Sequence, residues 1–154
     1  PHHHNFGKRL VKSPKLYFVD AALAAWLMGI RDAATLEIHP ARGALFETWV
    51  VGELYKQSLN QGLASPLYFW RDSTGHEVDV LVEMPLGLRP IEIKSGTTFA
   101  SDWLSSLHKW QKFSKENQQV PQLVYGGDES YERSGVKVWS WRESWKAGTS
   151  IVQT

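Results

Sequence analysis

Two runs of alternating polar and apolar residues constrain this chain more than anything else in it. Glu77-Val78-Asp79-Val80-Leu81-Val82-Glu83 is followed, after the short turn Pro85-Leu86-Gly87, by Ile91-Glu92-Ile93-Lys94-Ser95. Side chains of a strand point to opposite faces with period two, so Glu92 and Lys94 share a face. If the two runs pair as a hairpin, Asp79 joins them there. Two carboxylates and an ammonium converging on adjacent strands can hold Mg²⁺ through oxygen ligands and act on a phosphodiester. The simpler alternative is a solvated sheet face carrying an ordinary cross-strand ion pair.

The setting of the two strands bears on that choice. Lys15 to Val19 reads as a short strand, and Asp20 as the N-cap of an Ala-rich helix ending at Gly29. A longer helix is expected from Ala44 to Asn60, then a strand from Leu67 to Arg71 and a turn at Asp72-Ser73-Thr74-Gly75. After the two alternating strands come a helix capped by Ser101 or Asp102, running to about Lys115, and a strand from Gln122 to Tyr125. A last strand covers Val136 to Trp141, with a helical tail from Glu143. From residue 44 the order is therefore α-β-β-β-α-β-β. That predicts an α/β fold with a central mixed sheet covered by helices on both faces. The alternating strands are then shielded rather than at an exposed edge. Residues 1–39 are expected to form a small lead-in of one strand and a short helix, and residues 40–154 the main domain.

Composition narrows the partners. At 154 residues the chain is one domain's worth, and its net charge of +1 gives no global field toward nucleic acid or membrane. The absence of cysteine excludes thiolate metal sites and disulfides, and agrees with a reducing, cytoplasmic setting. No apolar run approaches the roughly 20 residues of a spanning helix. The start at Pro1-His2-His3-His4-Asn5, native or a tag remnant, lacks an initiator Met and suggests a piece of something longer.

On the helix from Ala44, the residues Phe46, Trp49, Val50 and Leu54 mark an apolar face, and Glu47 and Glu53 fall toward it. A carboxylate on a buried face requires a partner or a metal, so both are site candidates; an Arg or Lys at the core edge would serve equally. Arg71, just before a turn, could contact phosphate or pair with a carboxylate. Lys109, Lys112 and Lys115 form a helix face that is solvated or tracks a backbone. Lys8 to Lys15 is basic enough to touch nucleic acid or an acidic partner. The eight tryptophans suit core packing or an interface better than base stacking. There is no GxxxxGK[ST] loop, no Ser/His/Asp triad and no metal-ligand spacing among His39, His76 and His108.

The α-β-β-β-α-β order, a Glu on the first helix, Asp79 on one strand and Glu92-Ile93-Lys94 on the next resemble the PD-(D/E)XK nuclease-like superfamily, with its restriction-endonuclease-like core. More closely, Lys12-Ser13-Pro14-Lys15-Leu16-Tyr17-Phe18-Val19-Asp20, Arg42-Gly43-Ala44-Leu45-Phe46-Glu47 with Glu53-Leu54, Trp70-Arg71 through Asp79, and Ile91 to Gly96 resemble one family. It is the uncharacterised C-terminal domain of predicted bacterial and archaeal AAA-type ATP-binding proteins. The resemblance implies Asp79 and Glu92 as ligands of Mg²⁺ or Mn²⁺, assisted by the carbonyl of Ile93. It also implies Lys94 as the water-positioning lysine and Glu47 as the helix acid, with Glu53 as second candidate. Val78 stands where the superfamily usually has Pro. Two readings follow: a metal-dependent nuclease domain attached to an ATPase region of the parent chain, or a non-catalytic domain binding nucleic acid or protein.

Overall fold

The computed structural model describes residues 14–62, 67–114 and 117–149. Strands β1 (Leu67–Arg71), β2 (Glu77–Met84), β3 (Gly87–Lys94), β4 (Gln122–Tyr125), β5 (Tyr131–Arg133) and β6 (Val136–Ser140) form one mixed sheet. Their order is β1-β2-β3-β4-β6-β5. Three strands run as an antiparallel meander, and β2 and β3 are joined through Pro85-Leu86, with Gly87 at φ +114°. From β3 onward the pairing turns parallel, β3 with β4 and β4 with β6, and β5 closes the edge antiparallel to β6.

Helix α3 (Arg42–Asn60) covers one face, with the 3₁₀ helix Trp141–Gly148 beside it. Helix α4 (Ser105–Phe113), entered through the 3₁₀ turn Ser101–Leu104, covers the other. Alternation sorts neighbouring residues into separate layers. Leu123 packs with Trp70, Val78, Leu107 and Trp110 under α4, while Val124 packs with Val50, Leu54, Val80 and Ile93 under α3. Burying each such side chain contributes roughly 1.5–3 kcal/mol, so both layers are needed. Trp70 and Trp110 meet edge-on at 5.4 Å within one layer, which is core packing, and Trp49, packed against the other layer, meets the half-buried Trp141 at 5.8 Å. Trp26 and Trp145 remain exposed.

Two short helices, α1 (Ala21–Leu27) and α2 (Ala33–Ile38), pack on α3 through Ala24, Ile30 and Leu45. Asp20 caps α1 as expected, accepting from the backbone N–H of Ala22 and Leu23 at 2.8 and 3.0 Å, and Asp32 caps α2. The expected strand at Lys15–Val19 does not form. Residues 14–18 pair with no strand of the sheet; the segment instead turns Lys15 and Tyr17 toward α3, where Glu47 accepts from both. Leu16 and Phe18, the apolar half of the alternation, are exposed, as is Val19. Lys8 to Ser13, Lys115 and Pro1 to Asn5 lie outside the described residues. No helix among the described residues is long and apolar enough to cross a membrane.

Candidate functional site

An irregularity in β2 sets the site. Tyr68 faces Leu81 and Trp70 faces Val78, so the single residue Phe69 stands opposite two, Asp79 and Val80. Such a β-bulge bends the strand and re-aims a side chain. On the other side β2 pairs with β3 as far as Val80 opposite Ile91, and the same register carried one residue further places Asp79 opposite Glu92. The ladder stops there. Asp79 Oδ2 instead accepts the backbone N–H of Ile93 at 2.8 Å.

Glu92 is 4% exposed, far less than a carboxylate tolerates without partners. Its Oε1 accepts from Lys94 Nζ at 2.5 Å, two residues along the same face. Its Oε2 is buried with no hydrogen-bond partner among the described residues. Lys94 keeps about a third of its side chain exposed and so faces the open side of the cluster.

Glu47, from the second turn of α3, comes to the same place from above the sheet. Its Oε1 accepts from Tyr17 Oη at 2.6 Å and Lys15 Nζ at 2.9 Å. The Lys15 ammonium also contacts Glu77 directly and lies 3.7 Å from Asp79 Oδ1. Arg71 is half exposed, with its Nε 3.6 Å from Glu77. It is an ion-pair partner at the rim. Glu53 does not join the cluster: it pairs with the exposed Lys56 one helical turn on. It sits on the flank of the apolar stripe, where a lysine can reach it.

The electrostatics follow from crowding acids in a dry place. Burial, then repulsion from Glu47, push the Asp79 carboxyl above its ordinary range against the pull of Lys94, the Ile93 N–H and Lys15. Burial and then Asp79 do the same to Glu92, outweighing Lys94. Lys94 answers in the opposite sense: burial alone would lower its pKa, but Glu92, Asp79 and Glu47 raise it. The two ends of the Glu92–Lys94 pair thus pull apart. Lys94 holds its proton, and Asp79 and Glu92 resist carrying two full charges side by side. For Lys15, burial is outweighed by its bonds to Glu77 and Glu47, which keep it cationic. Burial, then the bond to Glu47, keep Tyr17 a neutral phenol.

Sequence reasoning names Asp79, Glu92, Lys94 and Glu47, and the structure brings these four together; it misses Lys15, Tyr17 and Glu77. Glu77 and Asp79 share the alternation of β2, and Lys15 and Tyr17 share that of the first segment. Those were the available signals. Asp72 and His76 form a different cluster. Asp72 accepts from the backbone N–H groups of Thr74 and His76 and fixes the β1–β2 turn, and Lys109 contacts the His76 ring. Burial would raise the Asp72 pKa, but these bonds outweigh it and hold it at about 2. Among the described residues, no three His, Asp or Glu side chains are grouped to hold a metal by themselves.

Fold and site define a mixed α/β domain carrying an acid–lysine cluster where a bulged strand parts from its neighbour. Residues 42–143 match the family model of DUF4143, a domain of unknown function, and the chain belongs to that family. It is similar to an uncharacterized protein of Mycobacterium tuberculosis and to one of Mycobacterium bovis. Each is 37% identical over 94 residues, 61% of this chain and 20% of the relative. The matched stretch thus spans a fifth of the length of these relatives.

Proposed function

We propose that this domain hydrolyses phosphodiester bonds of DNA or RNA with Mg²⁺ or Mn²⁺, as a PD-(D/E)XK nuclease-like unit within an ATPase-linked parent protein. The observation that carries the reading is the orphaned, buried Oε2 of Glu92 opposite Asp79. A buried carboxylate oxygen without a donor is costly unless a cation meets it. Mg²⁺ is typically held by one or two carboxylates and its own waters, so the donor set fits. Asp79, Glu92 and the carbonyl of Ile93 would hold the ion. When bound, it lowers the pKa of a water and stabilises charge on the phosphoryl oxygens.

The chain's own groups do the rest. Lys94, charged and partly open to solvent, orients a water or a phosphate oxygen by donation from Nζ. Asp79, tethered to the Ile93 N–H, keeps the carboxylates at a fixed separation. A cleft of about 390 Å³, walled by Tyr17, Phe18, Tyr55, Tyr68 and Phe69, reaches Asp79 and Lys15, while Glu92 and Lys94 lie outside its lining. The relatives' length leaves room in a parent of that size for an ATPase region.

A second reading, a non-catalytic domain binding nucleic acid or protein, is favoured by the net charge of +1 and by exposed Leu16, Trp26 and Ile38. Incubation with single- and double-stranded DNA and RNA plus Mg²⁺ or Mn²⁺, beside Asp79→Ala and Lys94→Ala, separates the two. The expected result is cleavage that falls by about 10² or more in each variant. Undiminished cleavage in both variants removes the site, and no cleavage of any substrate favours the binding reading.

A further inference from the structure

Lys15 comes from a segment that forms neither helix nor strand, yet its ammonium is the point on which α3 and β2 converge. Glu47 accepts from Nζ at 2.9 Å, Glu77 is in direct contact and Asp79 Oδ1 lies 3.7 Å away. Tyr17 holds the same Glu47 oxygen at 2.6 Å. The other half of the cluster has an unmet demand: Glu92 Oε2, on a residue 4% exposed, has no partner among the described residues. One half is saturated by an ammonium and the other half is not.

Charge agrees with this division. Glu47, Glu77, Asp79 and Glu92 face two ammoniums, Lys15 and Lys94, so one divalent ion balances the cluster. A second would leave it strongly positive, and Arg71 at the rim only adds to that.

We propose that the Lys15 ammonium is the built-in second cation of this site, so that the chain takes up one divalent ion, at Asp79 and Glu92, where the carboxylates would otherwise take two. The proposal rests on the metal-binding reading above. It makes Lys15 a positioning residue, acting through Glu47, Glu77 and Asp79. A purely structural tether would leave metal stoichiometry untouched.

The test is calorimetric titration of Mn²⁺ into the full chain, the Lys15→Met variant, which keeps an unbranched apolar stem without the charge, and Lys15→Arg, which keeps the charge. The expected result is one equivalent in the parent and in Lys15→Arg, and two in Lys15→Met. Electron paramagnetic resonance of the loaded Lys15→Met protein then carries the signature of a coupled Mn²⁺ pair. Two equivalents in the parent chain, or one in Lys15→Met, overturn the proposal while leaving the metal site standing. No Mn²⁺ bound by the folded parent chain overturns both readings. If Lys15→Met fails to fold by circular dichroism, Lys15→Gln is titrated in its place under the same criteria.

Discussion

Asp79 stands where two requirements meet, a strand's need to satisfy the Ile93 N–H and a cluster's need for a carboxylate. Its raised pKa fixes the sign of a stability effect. The native state holds a proton on this group at a pH where the unfolded chain has released it, so folding stability falls as pH climbs from about 4 toward neutrality. We predict that Asp79→Asn, whose amide oxygen still accepts from Ile93, stabilises the protein at pH 7 by on the order of 1 kcal/mol. The gain shrinks toward pH 4. Urea denaturation at the two pH values measures it, and a loss of stability at pH 7 would show that the pairing with Lys15 and Lys94 outweighs burial. Period-two alternation makes Asp79, Glu92 and Lys94 legible from sequence, and helical periodicity does so for Glu47. The same periodicity also points at Glu53, which sits on the flank and takes Lys56. Lys15 was illegible because alternation gives a face and not a partner, and its contact with Glu47 spans 32 residues.

The elements carry the site as much as the residues do. β1, β4, the cap at Asp20 and the turn at Gly87 are readable from local chemistry, whereas the bulge at Asp79 and Val80 arises only when β1 and β2 meet. The failed strand at Lys15–Val19 has a related cause: its polar side chains are taken by Glu47 of α3, a distant partner that local alternation does not reveal. The loop after β3 shows how closely elements are fitted. Arg42 at the start of α3 donates to the Ser95 carbonyl at 3.1 Å, and Gly126 after β4 donates to the carbonyls of Lys94 and Gly96. A Cβ on Gly126 would lie 2.5 Å from the Ser95 carbonyl oxygen. Gly126→Ala therefore forces this loop, and Lys94 with it, away from β4. We expect a cost of about 1–3 kcal/mol, read as a fall in Tm, and a matching loss of Mn²⁺ affinity. An unchanged Tm would mean that the loop yields freely.

Across the whole molecule, stability is distributed unevenly. All four residues of β4 are buried, whereas α1 buries only Ala24 and α2 buries none. Native-state hydrogen exchange is expected to show amides of α1 and α2 opening at least about tenfold more readily than those of β3 and β4. Equal protection would make the helical lead-in part of the same cooperative unit. The layered α/β plan is legible because it follows from element order, while the change from antiparallel to parallel pairing at β3 is a matter of long-range partners. The two-residue connection between β2 and β3 has a kinetic consequence. It brings Asp79 and Glu92 together through a tight turn, on the microsecond scale of hairpin formation. Lys94 arrives on the same hairpin and meets Glu92 as the strands pair, whereas Lys15, the counter-charge beside Asp79, reaches it only across a far longer stretch of chain. During folding Asp79 therefore meets Glu92 with one ammonium in place of two, so closure of this hairpin slows as rising pH ionises both acids.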